Sequence, residues 1–139
     1  MLGMKPMFSH EFTIDSMRKS VDYAGLQVAS LKGISNVKVP NDAGLKITKF
    51  TPNIKEHENI ILYLHGGGYS IGSTLSHRPL IERLCAAFGG VIFSLDYRLA
   101  PEYKFPIPLV DATTAYQWLI STGYSSNQIA IVGDSAGGG

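Results

Sequence analysis

Three short, largely apolar runs restrict the fold of this chain more than any other feature of its sequence. They are Ile60–Leu64, Val91–Leu95 and Gln128–Val132. Runs of this length with little alternation are typical of strands buried on both faces, as in a parallel sheet. Arg78–Phe88 and Pro106–Ser121 lie between them and repeat apolar residues at helical spacing. The alternation predicts an α/β fold in which helices cover a mostly parallel sheet.

The residues before the first of these strands predict a helix and a hairpin. After about eight residues that read as a loose end, apolar side chains recur three or four positions apart over Ile14–Leu31. This spacing indicates an amphipathic helix, and Gly33 is a suitable place for it to stop. Val37–Pro40 and Leu45–Phe50 alternate weakly on either side of an Asn-Asp-Ala-Gly turn, which favours a β-hairpin.

A glycine-flanked serine directly follows the third apolar run. Gly133-x-Ser135-x-Gly137 fits the G-x-S-x-G nucleophile elbow, in which a strained turn between strand and helix presents a serine hydroxyl. A histidine can then take the proton of that hydroxyl and make the oxygen a nucleophile. The pattern is short, so an ordinary glycine-rich turn is the alternative interpretation of this motif by itself.

A second glycine cluster, His65-Gly66-Gly67-Gly68, follows the first apolar run. When a hydroxyl attacks an ester carbonyl, the carbonyl oxygen gains negative charge that prearranged donors must stabilise. Glycine amides can converge on such an oxygen because no side chain stands in the way, and the HGGG pattern has this role in lipases and esterases. We expect His65 to orient the loop rather than to transfer protons, because the base of this fold follows the serine in sequence.

Four motifs occur in the order found in one family, and the chain resembles the hormone-sensitive-lipase-like esterases of the α/β-hydrolase fold. They are HGGGYSIGS at 65–73, DYRLAPE at 96–102, FPIPLVDA at 105–112 and GDSAGG at 133–138. The resemblance implies that Ser135 is the nucleophile and that the amides of Gly67, Gly68 and Ala136 form the oxyanion hole. It also implies catalysis on a small-molecule ester without a metal or an organic cofactor.

For other residues in these motifs the resemblance leaves more than one interpretation. Tyr69 either lines the acyl pocket or simply packs against its neighbours. Arg98 is expected to make buried, charge-assisted hydrogen bonds. Asp111 either belongs to the same packing or is a solvated acid in the first turn of its helix. Asp134 precedes the nucleophile and is not expected to be the acid of a catalytic triad.

The order of the family's triad is serine, acid, histidine, and this sequence supplies only the first. Ala136-Gly137-Gly138-Gly139 follow Ser135, and all four histidines precede it. Proton transfer by His65 or His77 would break the family order. We therefore expect the triad acid and histidine to lie outside this chain and the chain to be the N-terminal half of a longer enzyme.

This expectation divides the chain into two parts. Residues 1–33 would be a helical cap segment, and residues 34–139 the N-terminal part of the hydrolase domain, truncated after the elbow. The strand at Gln128–Val132 would then be an exposed apolar edge, which favours self-association or pairing with a complementary C-terminal half.

Two other functions compete with ester hydrolysis. Without a general base, the chain could be a catalytically silent fragment that needs a complementary chain or a second copy of itself. The same fold also supports amidases and peptidases, and fold alone does not exclude an amide substrate.

Composition excludes several further classes of protein. Twelve Lys and Arg against eleven Asp and Glu, without a basic cluster, do not form the electrostatic footprint of a nucleic-acid-binding protein. Neither glycine cluster completes a P-loop or a G-x-G-x-x-G motif. Cys85 is the only cysteine, and the histidines have no metal-ligand spacing, so we expect no disulfide and no metal site. No signal peptide and no membrane span is recognisable, which predicts a cytoplasmic protein.

Overall fold

The computed structural model describes residues 12–139, so the predicted loose end before them lies outside the described part. Three α-helices and five strands occur in those residues. In chain order they are α1 (Ile14–Gln27), β1 (Ile34–Val39), β2 (Ile47–Pro52), β3 (Ile60–Leu64), α2 (Thr74–Phe88), β4 (Val91–Leu95), α3 (Ile107–Ser121) and β5 (Ile129–Gly133). Short 3₁₀ turns cover Ser126–Gln128 and Ser135–Gly138.

The strands form one mixed sheet in the order β1-β2-β4-β3-β5. β3 lies between β4 and β5 and is parallel to both, whereas β2 is antiparallel to β1 and to β4. The predicted α/β fold, the hairpin and the three apolar strands are therefore confirmed. The parallel part of the sheet is confined to β4, β3 and β5.

Two predicted helix ends were wrong. α1 ends at Gln27 rather than near Leu31, because the guanidinium of Arg78 donates hydrogen bonds to the carbonyls of Gly25 and Val28 and takes the place of a further helical turn. α2 begins at Thr74 rather than at Arg78. Its start is set by a capping box, in which the hydroxyl of Ser73 accepts a hydrogen bond from the amide of Ser76 and the hydroxyl of Ser76 accepts one from the amide of Ser73.

Helices cover both faces of the sheet, and each face has its own apolar core. α3 packs its buried side chains Ala115 and Leu119 on the face that carries Leu62 and Phe93. α2 covers the other face, and its buried residues Ile81 and Cys85 join a second cluster. Residues that alternate along one strand thus enter different cores, which explains why β3 and β4 are apolar at almost every position.

α1 lies against α2, and Gly25 allows the close approach. A Cβ atom at Gly25 would lie 2.2 Å from the carbonyl oxygen of Leu75 in α2.

None of the helices within residues 12–139 is both long and apolar enough to cross a membrane.

The register of the parallel strands brings three loops to the same edge of the sheet. Leu64 at the end of β3 pairs with Leu95 of β4 and with Gly133 of β5. The HGGG loop, the loop after β4 and the turn that contains Ser135 therefore start side by side. This is the carboxyl edge of the parallel strands, where ligands bind in open α/β sheets.

Candidate active site

Ser135 has the backbone conformation that a nucleophile elbow requires. Its φ angle is 49°, in the left-handed region that non-glycine residues seldom occupy. The turn is closed by a hydrogen bond of 2.8 Å from the amide of Gly137 to the carbonyl of Asp134. A Cβ atom at Gly137 would lie 1.9 Å from the carbonyl oxygen of Leu64, and one at Gly133 would lie 2.0 Å from that of Gly137. The two glycines of the motif are thus required by the packing of backbone on backbone.

The HGGG loop is a tight turn whose glycines also have a steric reason. Gly67 and Gly68 have φ angles of 128° and 59°. A Cβ atom at Gly67 would lie 2.0 Å from the carbonyl oxygen of Ile71. Among residues 12–139, the amides of Gly67, Gly68 and Ala136 donate no hydrogen bond to another group. These three predicted oxyanion donors are therefore available to a ligand.

The elbow and the HGGG loop are in direct contact. A Cβ atom at Gly66 would lie 3.1 Å from the Cβ atom of Ser135. The amide of Gly66 donates a hydrogen bond of 3.0 Å to the carboxylate of Asp134. The structure thus brings together the predicted nucleophile and the loop that carries two of the predicted oxyanion donors, Gly67 and Gly68.

Asp134 is a centre of hydrogen bonds that sequence reasoning did not identify. Besides the amide of Gly66, its carboxylate accepts a hydrogen bond of 2.6 Å from the hydroxyl of Tyr63, and the Nε2 atom of His77 lies 3.3 Å from its other oxygen. Burial raises the pKa of this carboxyl, but Tyr63, His77 and Gly66 together hold it below its usual value. The motif gave only the position of Asp134, because its partners come from β3 and α2.

His65 is held inside the loop that it precedes. Its side chain is 1% exposed and stacks on the ring of Tyr97 at 4.4 Å between centroids. Its Nδ1 atom donates a hydrogen bond of 2.7 Å to the carbonyl of Gly66, which can only accept. Burial lowers the pKa of His65 and favours the neutral ring. These contacts fit the loop-orienting role predicted for it.

Both ring nitrogens of His77 have hydrogen-bond partners other than Ser135. Nδ1 lies 2.9 Å from the hydroxyl of Ser76 and 3.2 Å from the carbonyl of Ser73, while Nε2 faces Asp134.

In the described residues, no group of three or more His, Cys, Asp or Glu side chains could hold a metal ion.

An apolar cavity of about 350 Å³ opens beside the elbow. Tyr69, with a φ angle of 59°, and Ala136 both contribute to its wall. The other residues that line it are Leu64, Tyr97, Ala100, Tyr103, Phe105, Pro108, Leu109, Ala112, Gly137 and Gly139. Because Ala136 is a predicted oxyanion donor, this cavity adjoins the predicted oxyanion hole.

The loop after β4 is held by two arginines. Arg98 makes a bidentate ion pair with Asp111, which is 4% exposed and therefore belongs to the packing rather than to the solvated helix surface. The side chain of Arg98 is itself 46% exposed, so the expectation of burial was wrong for this partner. Arg18 of α1, which sequence reasoning missed, donates hydrogen bonds of 2.8 Å to Glu102 and to the carbonyls of Ala100 and Ser70.

The chain is similar in sequence to proteins that are named as a lipase and as an ester hydrolase. Residues 61–139 match a family described as the alpha/beta hydrolase fold. The chain is 40% identical over 97 residues to Lipase 2 of Moraxella sp. (strain TA144), which covers 67% of the chain and 22% of that protein. It is 43% identical over 82 residues to the ethyl acetate hydrolase of Pseudomonas putida, which covers 56% of the chain and 26% of that protein.

A solved structure agrees over almost the whole chain. The crystal structure of an esterase from the bacterial hormone-sensitive lipase (HSL) family superimposes with a TM-score of 0.85 at 35% identity. The match covers 96% of this chain and 43% of that one. The chain therefore spans less than half the length of the solved protein and about a quarter of the two relatives above.

Proposed function

This chain belongs to the α/β-hydrolase fold family, among its hormone-sensitive-lipase-like esterases, and we propose that it carries the nucleophile and the oxyanion hole of a carboxylic-ester hydrolase. The observation that supports this most directly is the position of Ser135. It occupies a strained turn at the carboxyl edge of the sheet and contacts Gly66, which directly precedes Gly67 and Gly68. Together with Ala136, these two residues have amides that donate no hydrogen bond within residues 12–139.

In the proposed reaction, the Oγ atom of Ser135 bonds to the ester carbonyl carbon and gives up its proton to a base. The carbonyl oxygen becomes negatively charged and accepts hydrogen bonds from the amides of Gly67, Gly68 and Ala136. The intermediate then collapses, the bond to the alcohol oxygen breaks, and the departing oxygen takes the proton. Water then attacks the carbonyl carbon of the resulting acyl-enzyme and gives up its proton to the base. The bond to the Oγ atom of Ser135 breaks, and Oγ takes the proton back.

We assign the acid and the base of this reaction to residues outside these 139. No Asp, Glu or His follows Ser135 in the sequence, and the family's triad order requires both to do so. The contacts of His65 and His77 support this assignment, since the first is stacked under Tyr97 and the second is engaged by Asp134. Residues 34–139 are, on this proposal, the N-terminal part of a hydrolase domain, with α1 belonging to its cap.

A short or medium acyl ester is the substrate class that we propose. Two relatives are named an ethyl acetate hydrolase and an acetyl-hydrolase, and both names refer to the acetyl group, a short acyl group. The apolar cavity beside Ala136, with Tyr69 in its wall, supports the same class because it offers an acyl chain of a few carbons an apolar surface.

β5 provides the surface through which we propose that the chain associates. It pairs with β3 on one side, and Ile131 at its centre is 58% exposed. Within residues 12–139 no strand pairs with its other side. A complementary segment or a second copy of this chain could add a strand there by backbone hydrogen bonding.

Chemical labelling in the presence of an external base tests the role of Ser135. The purified chain would be incubated with a p-nitrophenyl alkylphosphonate, with and without imidazole as a small-molecule substitute for the missing base. We expect imidazole to accelerate phosphonylation of Ser135, detected as a mass increase on the peptide that contains residues 129–139. Without imidazole, hydrolysis of p-nitrophenyl butyrate should equal that of the Ser135→Ala variant.

Ser135→Ala and Ser125→Ala provide the controls. The first should remove the label altogether, whereas the second changes an exposed serine before β5 and should leave labelling unchanged. Labelling of other serines at the same rate, or no label at Ser135 at any imidazole concentration, would refute the proposal.

A further inference from the structure

We infer that Asp134 is a positioning residue, whose carboxylate joins the nucleophile elbow to the oxyanion loop and sets the distance between them. The inference rests on the proposed function for its catalytic meaning. The contacts that carry it are independent of that function.

The first argument is the place of the two joined groups in the chain. Asp134 directly precedes Ser135, and Gly66 directly precedes Gly67. The hydrogen bond of 3.0 Å between the Gly66 amide and the Asp134 carboxylate therefore links the residues adjacent to the nucleophile and to the first oxyanion donor. Because each bonded residue is the direct neighbour of Ser135 or of Gly67, a change in this bond changes the distance between Ser135 and Gly67.

The second argument is that the carboxylate is itself held from two further elements. The hydroxyl of Tyr63 in β3 donates to the same oxygen as Gly66, at 2.6 Å. His77 in α2 faces the second oxygen at 3.3 Å. Because three elements fix the carboxylate, it acts as a rigid acceptor rather than a mobile surface acid.

The third argument is the absence of side chains where the two loops approach. A Cβ atom at Gly66 would lie 2.3 Å from the carboxylate of Asp134 and 3.0 Å from its carbonyl oxygen. The glycine therefore makes room for the acid. Gly66, the first glycine of the HGGG cluster, is thus needed for space. Gly67, the second, has the amide described above, which donates no hydrogen bond within residues 12–139.

The bond also explains what restrains a loop made largely of glycine. Glycine loses more conformational entropy on ordering than any other residue, so three in succession need restraint to present their amides in one geometry. A charged acceptor forms a hydrogen bond about twice as strong as a neutral one. Asp134 supplies this restraint from within the elbow.

Hydrogen exchange of individual amides, measured by NMR, tests the inference without reference to catalysis. In Asp134→Ala we expect the protection of the Gly66 amide to fall at least about tenfold relative to that of Ile92 in the centre of the sheet. Asp134→Asn keeps an oxygen acceptor without the charge, so its Gly66 amide should be protected less than in the unmodified chain and more than in Asp134→Ala.

Asp111→Ala is the matched control. Like Asp134, Asp111 has a carboxylate that accepts a hydrogen bond from a backbone amide, that of Arg98, but it does not contact the elbow. It should leave the ratio of Gly66 to Ile92 protection unchanged. If it lowers that ratio as much as Asp134→Ala does, the effect is general destabilisation and the inference is wrong.

The rate of imidazole-assisted labelling of Ser135 gives the catalytic readout. We expect it to fall about tenfold or more in Asp134→Ala and to recover in part in Asp134→Asn. If Ser135 is never labelled but the Gly66 amide responds as expected, the proposed function fails and the link between the loops stands. If Asp134→Ala does not fold, Asp134→Asn decides, because Gly66 protection equal to that of the unmodified chain would overturn the inference.

Discussion

At the scale of single residues, several glycines mark places where the backbone leaves no room for a side chain. At Gly67, Gly133 and Gly137 an added Cβ atom would lie about 2 Å from a backbone carbonyl oxygen. A backbone atom cannot move away as a flexible side chain can, so no rotamer change relieves such a contact. Gly67 and Gly133 are therefore needed for the close packing of their own turns, and Gly137 for the packing of the elbow on the end of β3.

Gly137→Ala should destabilise the chain because its methyl group would meet the carbonyl of Leu64 at 1.9 Å. We expect a loss of about 1–3 kcal/mol or more in the free energy of unfolding, measured by denaturant titration. Gly138→Ala is the control, since its Cβ atom would lie 3.5 Å from the nearest atom, an ordinary contact. Equal stabilities of the two variants would contradict this account.

The ion pair between Arg18 and Glu102 should make stability depend on pH. The hydrogen bond from Arg18 lowers the pKa of Glu102 from 4.5 to about 2 in the folded chain. A carboxyl with a depressed pKa stabilises the fold above its unfolded value and loses that contribution as the pH falls through the folded one. The difference in melting temperature between the unmodified chain and Glu102→Gln should therefore shrink from pH 5 toward pH 2.

Salt provides a second check on the same pair. The side chain of Glu102 is half exposed, so the difference between the two proteins at pH 6 should become smaller at high ionic strength. A difference that is the same at pH 6 and pH 2.5 would show that Arg18 does not act through the charge of Glu102.

At the scale of elements, an ion pair within α2 binds the end of α1 and the residues that follow it. Arg78 contacts Glu82 at 3.1 Å and also binds carbonyls at the end of α1, while Glu82 accepts the amide of Leu31. Glu82 is 1% exposed, so its carboxylate depends on these partners rather than on water for its hydrogen bonds.

Arg78→Met should therefore cost about 3–5 kcal/mol in the free energy of unfolding, because it leaves a buried carboxylate without its cation. Thermal and denaturant unfolding would measure the loss. The double variant Arg78→Met, Glu82→Leu should recover part of it, since no buried charge then lacks a partner. Arg83→Met changes an exposed arginine of the same helix and should alter stability by no more than about 0.5 kcal/mol.

The elements themselves were predictable because their periodicity is local. β3 and β4 were confirmed at their predicted bounds, and α3 differed from its prediction by one residue at its start. The end of α1 was not predictable, because a side chain distant in sequence, Arg78, binds its last carbonyls. The start of α2 was a different case, since the serines at positions 73 and 76 spell a capping signal that the apolar spacing alone does not show.

At the scale of the whole molecule, the position of the candidate site was predictable and its internal connections were not. Two glycine motifs that each follow a strand must meet if those strands are parallel neighbours, and Leu64 and Gly133 do pair. The side-chain hydrogen bonds of Asp134 and Arg18 join them to residues more than fifty positions away in the chain. No local pattern marks such contacts, so they become visible only when the sheet is assembled.

Within residues 12–139 no strand pairs with the outer side of β5, and this side should make association depend on concentration. We expect sedimentation velocity of the 139-residue chain to show species larger than a monomer as its concentration rises. Ile131→Lys places a charge on the exposed strand and should shift the distribution toward the monomer. Ile54→Lys, a change at another exposed isoleucine outside the strands, should not. Identical distributions for all three chains would rule out β5 as the surface of contact.

The bond from Arg18 to the carbonyl of Ser70 has a consequence for how such proteins can diverge. It spans 52 positions of sequence and fastens the leading helix to the same turn that carries Gly67 and Gly68. Gly25 presses that helix against α2, so it has little freedom to adjust its tilt by itself. An insertion that changed the angle of α1 would require a compensating change in the turn between β3 and α2. We therefore expect these two segments to evolve together.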